Sequence, residues 1–193
     1  MPEGSDWILL LIAYLLGSIP SAILVCKAMG LEDPRKAGSH NPGTTNVMRI
    51  GGRQAATLTL LGDLSKGAAA ILLAIMAGAD DSLKGWTLLA AVSGHLFPIF
   101  SRFKGGKGVA TTLGCTLLLS WPLAFCLTLF WGLVFLLGRI ASLASIATAT
   151  VAPLFCYLTV PSLTLTFSLM SVLLILTHSG NIRRLLNGRE RHF

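Results

Sequence analysis

Residues 109–138 read VATTLGCTLLLSWPLAFCLTLFWGLVFLLG, an apolar run of 30 residues with a Trp121-Pro122 pair near its middle. A hydrocarbon core about 30 Å thick takes about 20 residues of helix. The run is therefore too long for one span, and proline inside a helix removes a backbone donor and breaks it. A hairpin of two short spans is expected, with its turn at Trp121-Pro122. Whether this run counts once or twice sets the parity of the chain.

The basic residues decide that parity. The other apolar segments cover residues 7–26, 55–79, 83–100, 140–158 and 162–177. With the hairpin there are seven spans, and Lys27, Arg35, Lys36, Arg49, Arg53, Lys66, Arg102, Lys104, Lys107, Arg139, Arg183, Arg184, Arg189 and Arg191 all fall on one side. Only Lys84 falls opposite, beside Asp80 and Asp81. A single helix over 109–138 would separate Arg139 and the Arg-rich C-terminus from the Lys104 loop. Because an excess of Lys and Arg marks cytoplasmic loops, the expected fold is an all-α integral membrane protein. It is a bundle of about seven transmembrane helices, N-terminus out and C-terminus cytoplasmic, with cytoplasmic active-site loops. Each arm of the hairpin has about 15 residues, short of the hydrocarbon thickness. The loop at Lys104 is thus expected to dip toward the membrane, or the bilayer to thin.

Composition points the same way. The 193 residues are 53% hydrophobic and 12% charged, with a mean hydropathy of +0.74, whereas soluble domains carry about 25% charged residues. So little chain lies outside the spans that chemistry must reside in short polar loops and the adjoining first turns of helices. Residues 1–6 contain Glu3 and Asp6 and no basic residue, so they lack the positive region of a signal peptide, and the first span is expected to be retained. The net charge of +7 gathers in a few loops, and no basic face is interleaved with aromatics in a soluble module, which argues against a nucleic-acid partner and for contact with membrane lipids. Cys26, Cys115, Cys126 and Cys156 lie in or beside apolar runs without C-x-x-C spacing. They read as buried apolar fillers, and neither a metal nor a cofactor is expected.

Three polar stretches remain as candidates for chemistry. Gly38 to Arg49, GSHNPGTTNVMR, joins two glycines to Ser, Thr and Asn donors and a terminal Arg. That set suits an anionic oxygen ligand, and it equally suits a polar loop that caps a short helix, with Thr44, Thr45 or Asn46 as the cap. Ser101 to Val109, SRFKGGKGV, places three glycines around two lysines at a helix start, where free amides and the helix dipole favour anions. It is not a P-loop, because Gly108 follows Lys107 and no hydroxyl is placed for magnesium; the alternative is a basic turn touching lipid headgroups. His178 to Glu190 closes the last span, and His178 and Asn181 share a face if the helix continues through Gly180. Asp63 and Lys66, three apart at membrane depth, are expected to pair as a structural ion pair. Arg139, Ser142 and Ser145 are expected to open span six on one helical face.

Together these segments resemble the acyl-phosphate-dependent glycerol-3-phosphate acyltransferases of bacteria, the PlsY-type family. G-S-x-N-x-G-x-T-N-x-x-R is matched over Gly38 to Arg49, and G-H-x-F-P-x-F-x-x-F-K-G-G-K-G-V-A-T over Gly94 to Thr111. Further likeness lies in Gly17-Ser18-Ile19-Pro20, Gly62-Asp63, Lys66-Gly67, Ser142 to Ser145, His178, Asn181-Ile182 and Glu190. The departure is His40-Asn41-Pro42, where small residues are common in the family.

The resemblance implies one transmembrane acyltransferase domain over residues 1–193 in the bacterial inner membrane. It implies transfer of a fatty acyl group from acyl phosphate to the 1-hydroxyl of sn-glycerol 3-phosphate. The products are 1-acylglycerol 3-phosphate (lysophosphatidic acid) and phosphate, the first committed step of phospholipid synthesis, fed by an upstream enzyme that forms acyl phosphate. The H-x-x-x-x-D signature of thioester-using acyltransferases is missing, since Thr45, Phe100 and Arg183 stand five residues after His40, His95 and His178. Two phosphates bring a charge of about −4 to the site, which Arg49, Lys104 and Lys107 can offset with Arg102 or Lys66. No Ser-His-Asp set is evident, and an activated anhydride needs none. The roles implied are oxyanion and phosphate binding by Lys104, Lys107 and the Gly105, Gly106 and Gly108 amides. Ser39, Asn41, Thr45, Asn46 and Arg49 would grip glycerol 3-phosphate; His178, Asn181 and Ser142 would orient its hydroxyls, and Asp63, Lys66 and Glu190 would be structural.

Two other readings use the same residues. An anion transporter would employ the basic loops and the intramembrane pair, yet the outer loops offer almost nothing for a second gate. A lipid-binding scaffold subunit would need no activity at all.

Overall fold

The computed structural model describes residues 4–192 and contains helices, turns and loops, with no strand among the described residues. Among the described residues nine α-helices follow one another: α1 Gly4–Gly17, α2 Ser21–Ala28, α3 Thr44–Met76, α4 Asp81–Leu96, α5 Val109–Leu119, α6 Trp121–Gly138, α7 Ala141–Thr159, α8 Thr164–Thr177 and α9 Ser179–Leu186. Among the described residues four stretches are long and apolar enough to cross a membrane: Asp6–Ala28, Thr44–Met76, Trp121–Gly138 and Ala141–Thr159. A fifth is reached if Pro161–Thr177 and Ser179–Leu186, bent by 60°, are one span. The 16 residues of α4 and the 11 of α5 are shorter, about 24 and 16 Å at 1.5 Å per residue.

The chain divides into two compact units, Met1–Leu118 and Leu119–Phe193. In the first, α1 packs on α4 and α3, and α2 and α4 on α3. Glycine makes these approaches possible. A methyl group on Gly17 would strike the Ala91 carbonyl and one on Gly94 the Tyr14 carbonyl, so α1 and α4 meet backbone to backbone. Gly67 against Thr111 and Gly114 against Leu64 do the same for α3 and α5. Helices in lipid gain no hydrophobic drive from one another, and small residues that allow close packing supply it instead. Pro20 ends the continuity of α1 and α2. Ile19 lies in the break between the two helices, and its carbonyl accepts from Lys66 of α3.

In the second unit α7 packs on α6 and α8. Ser120 caps α6 and accepts the Leu123 N–H, with proline in the first turn, so the expected break at Trp121-Pro122 is a helix boundary. Its arms are unequal, 11 and 18 residues, where the sequence suggested about equal ones. Pro153 lies inside α7 and cannot donate to the Ala149 carbonyl one turn before it. Ser171 of α8 donates its hydroxyl there instead, which satisfies the freed carbonyl away from water. Trp131 stacks on Phe135 and donates its ring N–H to the Ser145 hydroxyl at 3.0 Å.

Two local expectations are corrected. Helix α3 starts at Thr44, eleven residues before the apolar run at Ala55, and Gly43 is its cap rather than Thr44, Thr45 or Asn46. A left-handed Gly52 (φ 73°) breaks the helical geometry between its polar and apolar parts. Arg139 does not open the next helix with Ser142 and Ser145; it terminates α6 in a left-handed conformation (φ 52°), and α7 begins at Ala141.

Candidate functional site

In the first unit, the polar loop between α2 and α3 is organised by Asn46, which is 1% exposed. Its Oδ1 accepts the Ser39 N–H at 2.7 Å, while Nδ2 donates to the carbonyls of Pro34 at 2.9 Å and Ala37 at 3.0 Å. The carboxamide is thus engaged with backbone at both ends, so Asn46 shapes the loop that presents Ser39. Gly38 is left-handed (φ 63°), and a Cβ there would collide with Asn46 Oδ1. Ser39 and His40 are exposed, and Asn41 and Thr45 half-buried. The Thr44 hydroxyl oxygen is buried with no hydrogen-bond partner at the head of α3, where amides and dipole favour an anion. Arg49 lies on the exposed side of the same helix, one turn beyond Thr45. Asp33 pairs with Arg35 at 2.6 Å. The hydrogen bond from Arg35, working against partial burial, holds the Asp33 carboxyl below the usual carboxylate range.

The second element is the segment from α4 to α5. Arg102 and Phe103 are both left-handed (φ 57° and 60°), a sharp reversal that side-chain-bearing residues rarely adopt. It is held by the Phe103 N–H on the Pro98 carbonyl at 2.9 Å and by the Ser101 hydroxyl on the Lys104 carbonyl at 3.1 Å. Lys104 is exposed, and Gly105, Gly106 and Lys107 are half-buried. Gly108 (φ 85°) turns the chain into α5. Two lysines and three glycines therefore occupy five consecutive positions directly before a helix N-terminus.

Beneath this loop lies a group of buried ionisable residues. Asp63 and Lys66 of α3 pair at 2.9 Å, and the Lys66 ammonium also donates to the Ile19 carbonyl at 2.8 Å. His95 of α4 brings Nδ1 to 3.5 Å from Asp63 Oδ1, and Thr111 of α5 brings its hydroxyl to 3.1 Å from the same nitrogen. A cavity of about 10 Å³ is lined by Asp63, Lys66, His95, Lys104, Gly105 and Gly106 among others, room for about one water. The Asp63–Lys66 pair was expected from spacing. His95 and Thr111 carried no expected role, although both lie within the Gly94 to Thr111 motif, and an ionisable ring in an apolar span was the signal available.

The second unit holds a separate polar cluster centred on Glu190. Oε1 accepts from Ser142 at 2.9 Å and from Asn181 at 2.7 Å, and Oε2 from Arg184 at 2.6 Å. Burial disfavours the charged carboxylate, but the hydrogen bonds from Arg184, Asn181 and Ser142 outweigh it and hold Glu190 below its ordinary value. His178 is buried at the junction of α8 and α9, with Nδ1 at 2.7 Å from the Leu174 carbonyl. A carbonyl can only accept, so Nδ1 carries the proton and Nε2 is the basic nitrogen of the neutral ring. Helix α9 continues through Gly180, and the 60° break falls at His178, so His178 stands at the bend and Asn181 within the helix beyond it. Among the described residues, no three His, Cys, Asp or Glu side chains converge as a metal set.

The family model described as Glycerol-3-phosphate acyltransferase matches residues 7–188. A relative of that name from Methylococcus capsulatus is 48% identical over 187 residues, covering 96% of this chain and 94% of the other. One from Pseudomonas putida is 47% identical over 188 residues, covering 97% and 99%. Among solved structures, the chain is similar to PlsY (YgiH), an integral membrane glycerol 3-phosphate acyltransferase in its glycerol 3-phosphate form. The TM-score is 0.92 and the identity 40%, over 98% of this chain and 96% of that one. The lysophosphatidic acid form of the same protein matches with a TM-score of 0.91 and 38% identity.

Proposed function

The chain belongs to the glycerol-3-phosphate acyltransferase family, and on that premise we propose how it works: with acyl phosphate as donor, attacked directly by the 1-hydroxyl. The protein is an integral membrane acyltransferase of lipid biosynthesis that converts glycerol 3-phosphate to lysophosphatidic acid. The donor is the finer step. The observation that carries it is the Lys104 to Gly108 loop, two cations and a run of amides at the N-terminus of α5. An acyl phosphate places its charge on the leaving group, and a cradle for phosphate beside the reacting carbonyl is what such a donor requires.

In the proposed reaction the 1-hydroxyl oxygen attacks the acyl carbon, the bond from that carbon to the phosphate oxygen breaks, and inorganic phosphate leaves. The proton passes to a phosphate oxygen or to His178. Lys104, Lys107 and the Gly105, Gly106 and Gly108 amides bind the oxyanion and departing phosphate. Ser39, Asn41, Thr45 and Arg49 take glycerol 3-phosphate, with Asn46 holding their loop. His178, Asn181 and Ser142 orient hydroxyls, while Asp63, Lys66 and Glu190 hold elements in place.

Seven spans, N-terminus out and C-terminus cytoplasmic, put fourteen of the fifteen basic residues on one face. That distribution supports the bacterial inner membrane as location, and the family match over residues 7–188 supports one catalytic domain over residues 1–193; its acyl-phosphate donor would come from an upstream acyl-phosphate-forming enzyme. Purified protein given glycerol 3-phosphate should form 1-acylglycerol 3-phosphate with palmitoyl phosphate and show negligible rate with palmitoyl-CoA. Comparable rates with both donors would contradict the proposal.

A further inference from the structure

His95 touches the glycine loop in two ways, and neither is explained by backbone conformation at the glycines. The Gly106 N–H donates to the His95 carbonyl at 3.2 Å. A Cβ on Gly105 would strike that same carbonyl, and one on Gly106 would strike His95 Nε2. Of the three glycines only Gly108 has positive φ. Gly105 and Gly106 are required because the loop runs directly across the His95 residue, ring and carbonyl together.

The ring is itself held. Thr111, fully buried, stands at 3.1 Å from Nδ1 and Asp63 at 3.5 Å, and Asp63 is in turn anchored by Lys66, which reaches the Ile19 carbonyl. Residues of α3 and α5 thus bracket one nitrogen of a ring carried by α4, which fixes the imidazole plane and turns its Nε2 edge to the loop. A segment with glycine at 105, 106 and 108 has more backbone freedom than any other composition would allow. Its amides converge on a ligand only if something outside the loop holds them, since ordering on binding weakens affinity.

We propose that His95 is a positioning residue for the acyl-phosphate donor: bracketed by Asp63 and Thr111, it is the template across which Gly105 and Gly106 are laid. The loop amides and flanking lysines are thereby preset for the donor's phosphate. This rests on the reading of the loop as the donor cradle.

A double-mutant cycle on the purified full-length enzyme tests it, with palmitoyl phosphate and glycerol 3-phosphate varied separately. Gly106→Ala should lower kcat/KM for palmitoyl phosphate by about tenfold or more, because its methyl meets the ring; in a His95→Ala background the same change should cost less than about threefold. Thr111→Val, which keeps shape and removes the hydroxyl, should raise KM for palmitoyl phosphate about fivefold and leave KM for glycerol 3-phosphate within about twofold. Thr111→Ser should restore it. The valine arm stands by itself if His95→Ala does not fold. Equal penalties for Gly106→Ala in both backgrounds, or equal shifts of both KM values in Thr111→Val, would overturn the positioning role while leaving the donor reading intact. A wild-type enzyme inactive with palmitoyl phosphate but active with palmitoyl-CoA would overturn both.

Discussion

Asp63 and Lys66 form an ion pair of 2.9 Å within α3, with side chains only 4% and 5% exposed. Removing one partner leaves an unpaired charge that is almost wholly buried, which costs about 3–5 kcal/mol. Asp63→Asn should therefore lower stability in detergent strongly. Lys66→Met should be milder, because His95 still faces Asp63. Replacing both should recover much of the loss. Thermal unfolding of the three variants checks the ordering, and equal losses in all three would contradict it.

In the proposed mechanism catalysis depends on cations rather than on an enzyme nucleophile. Lys104→Ala should lower kcat by about 10² to 10³, the usual loss for an oxyanion donor, while Arg49→Ala should chiefly raise KM for glycerol 3-phosphate. For His178→Ala, a loss of about 10² to 10⁴ with a flattened acid limb identifies His178 as the base. A smaller loss with the limb kept assigns the proton to a phosphate oxygen. Direct attack requires intersecting two-substrate kinetics, and an acyl group surviving on denatured enzyme would refute it.

Glu190 links pH to stability. Its carboxyl lies below the ordinary 4.5 in the folded protein, so the unfolded chain binds the proton more readily. The contribution is present above about pH 4.5 and fades as pH falls through the lower folded value. Acid titration of unfolding should show a component below pH 4.5 that Glu190→Gln lacks. The effect will be modest, because nearly half of the Arg184 side chain is in solvent and water screens the pair. Identical acid limbs in the two proteins would remove Glu190 from the account.

Topology is testable from both sides. In a background without Cys26, Cys115, Cys126 and Cys156, a cysteine replacing Ser82 should react with an impermeant thiol reagent in intact cells. One replacing Asn187 should react only after lysis. Labelling of position 187 from outside would exclude the seven-span arrangement.

Much of this was readable from order along the chain. Membrane residence followed from composition, the break at Trp121-Pro122 from proline's missing donor, and the Asp63–Lys66 pair from a separation of three on a helix. Family membership followed from motifs that are continuous in sequence, Gly38 to Arg49 and Gly94 to Thr111. Each of these is local, set by residues within a turn or two of one another. The contacts that required tertiary structure join distant positions: His95 with Asp63 and Thr111, Ser142 with Glu190 across 48 residues, Ser171 with the carbonyl that Pro153 frees. The start of α3 at Thr44 was likewise hidden, because its first turns are polar and Asn46 holds them through backbone groups seven to twelve residues away. A buried polar group must find a partner wherever the packed helices bring one within reach; the sequence determined that such groups exist, and only the packing of one helix on another decided which of them meet.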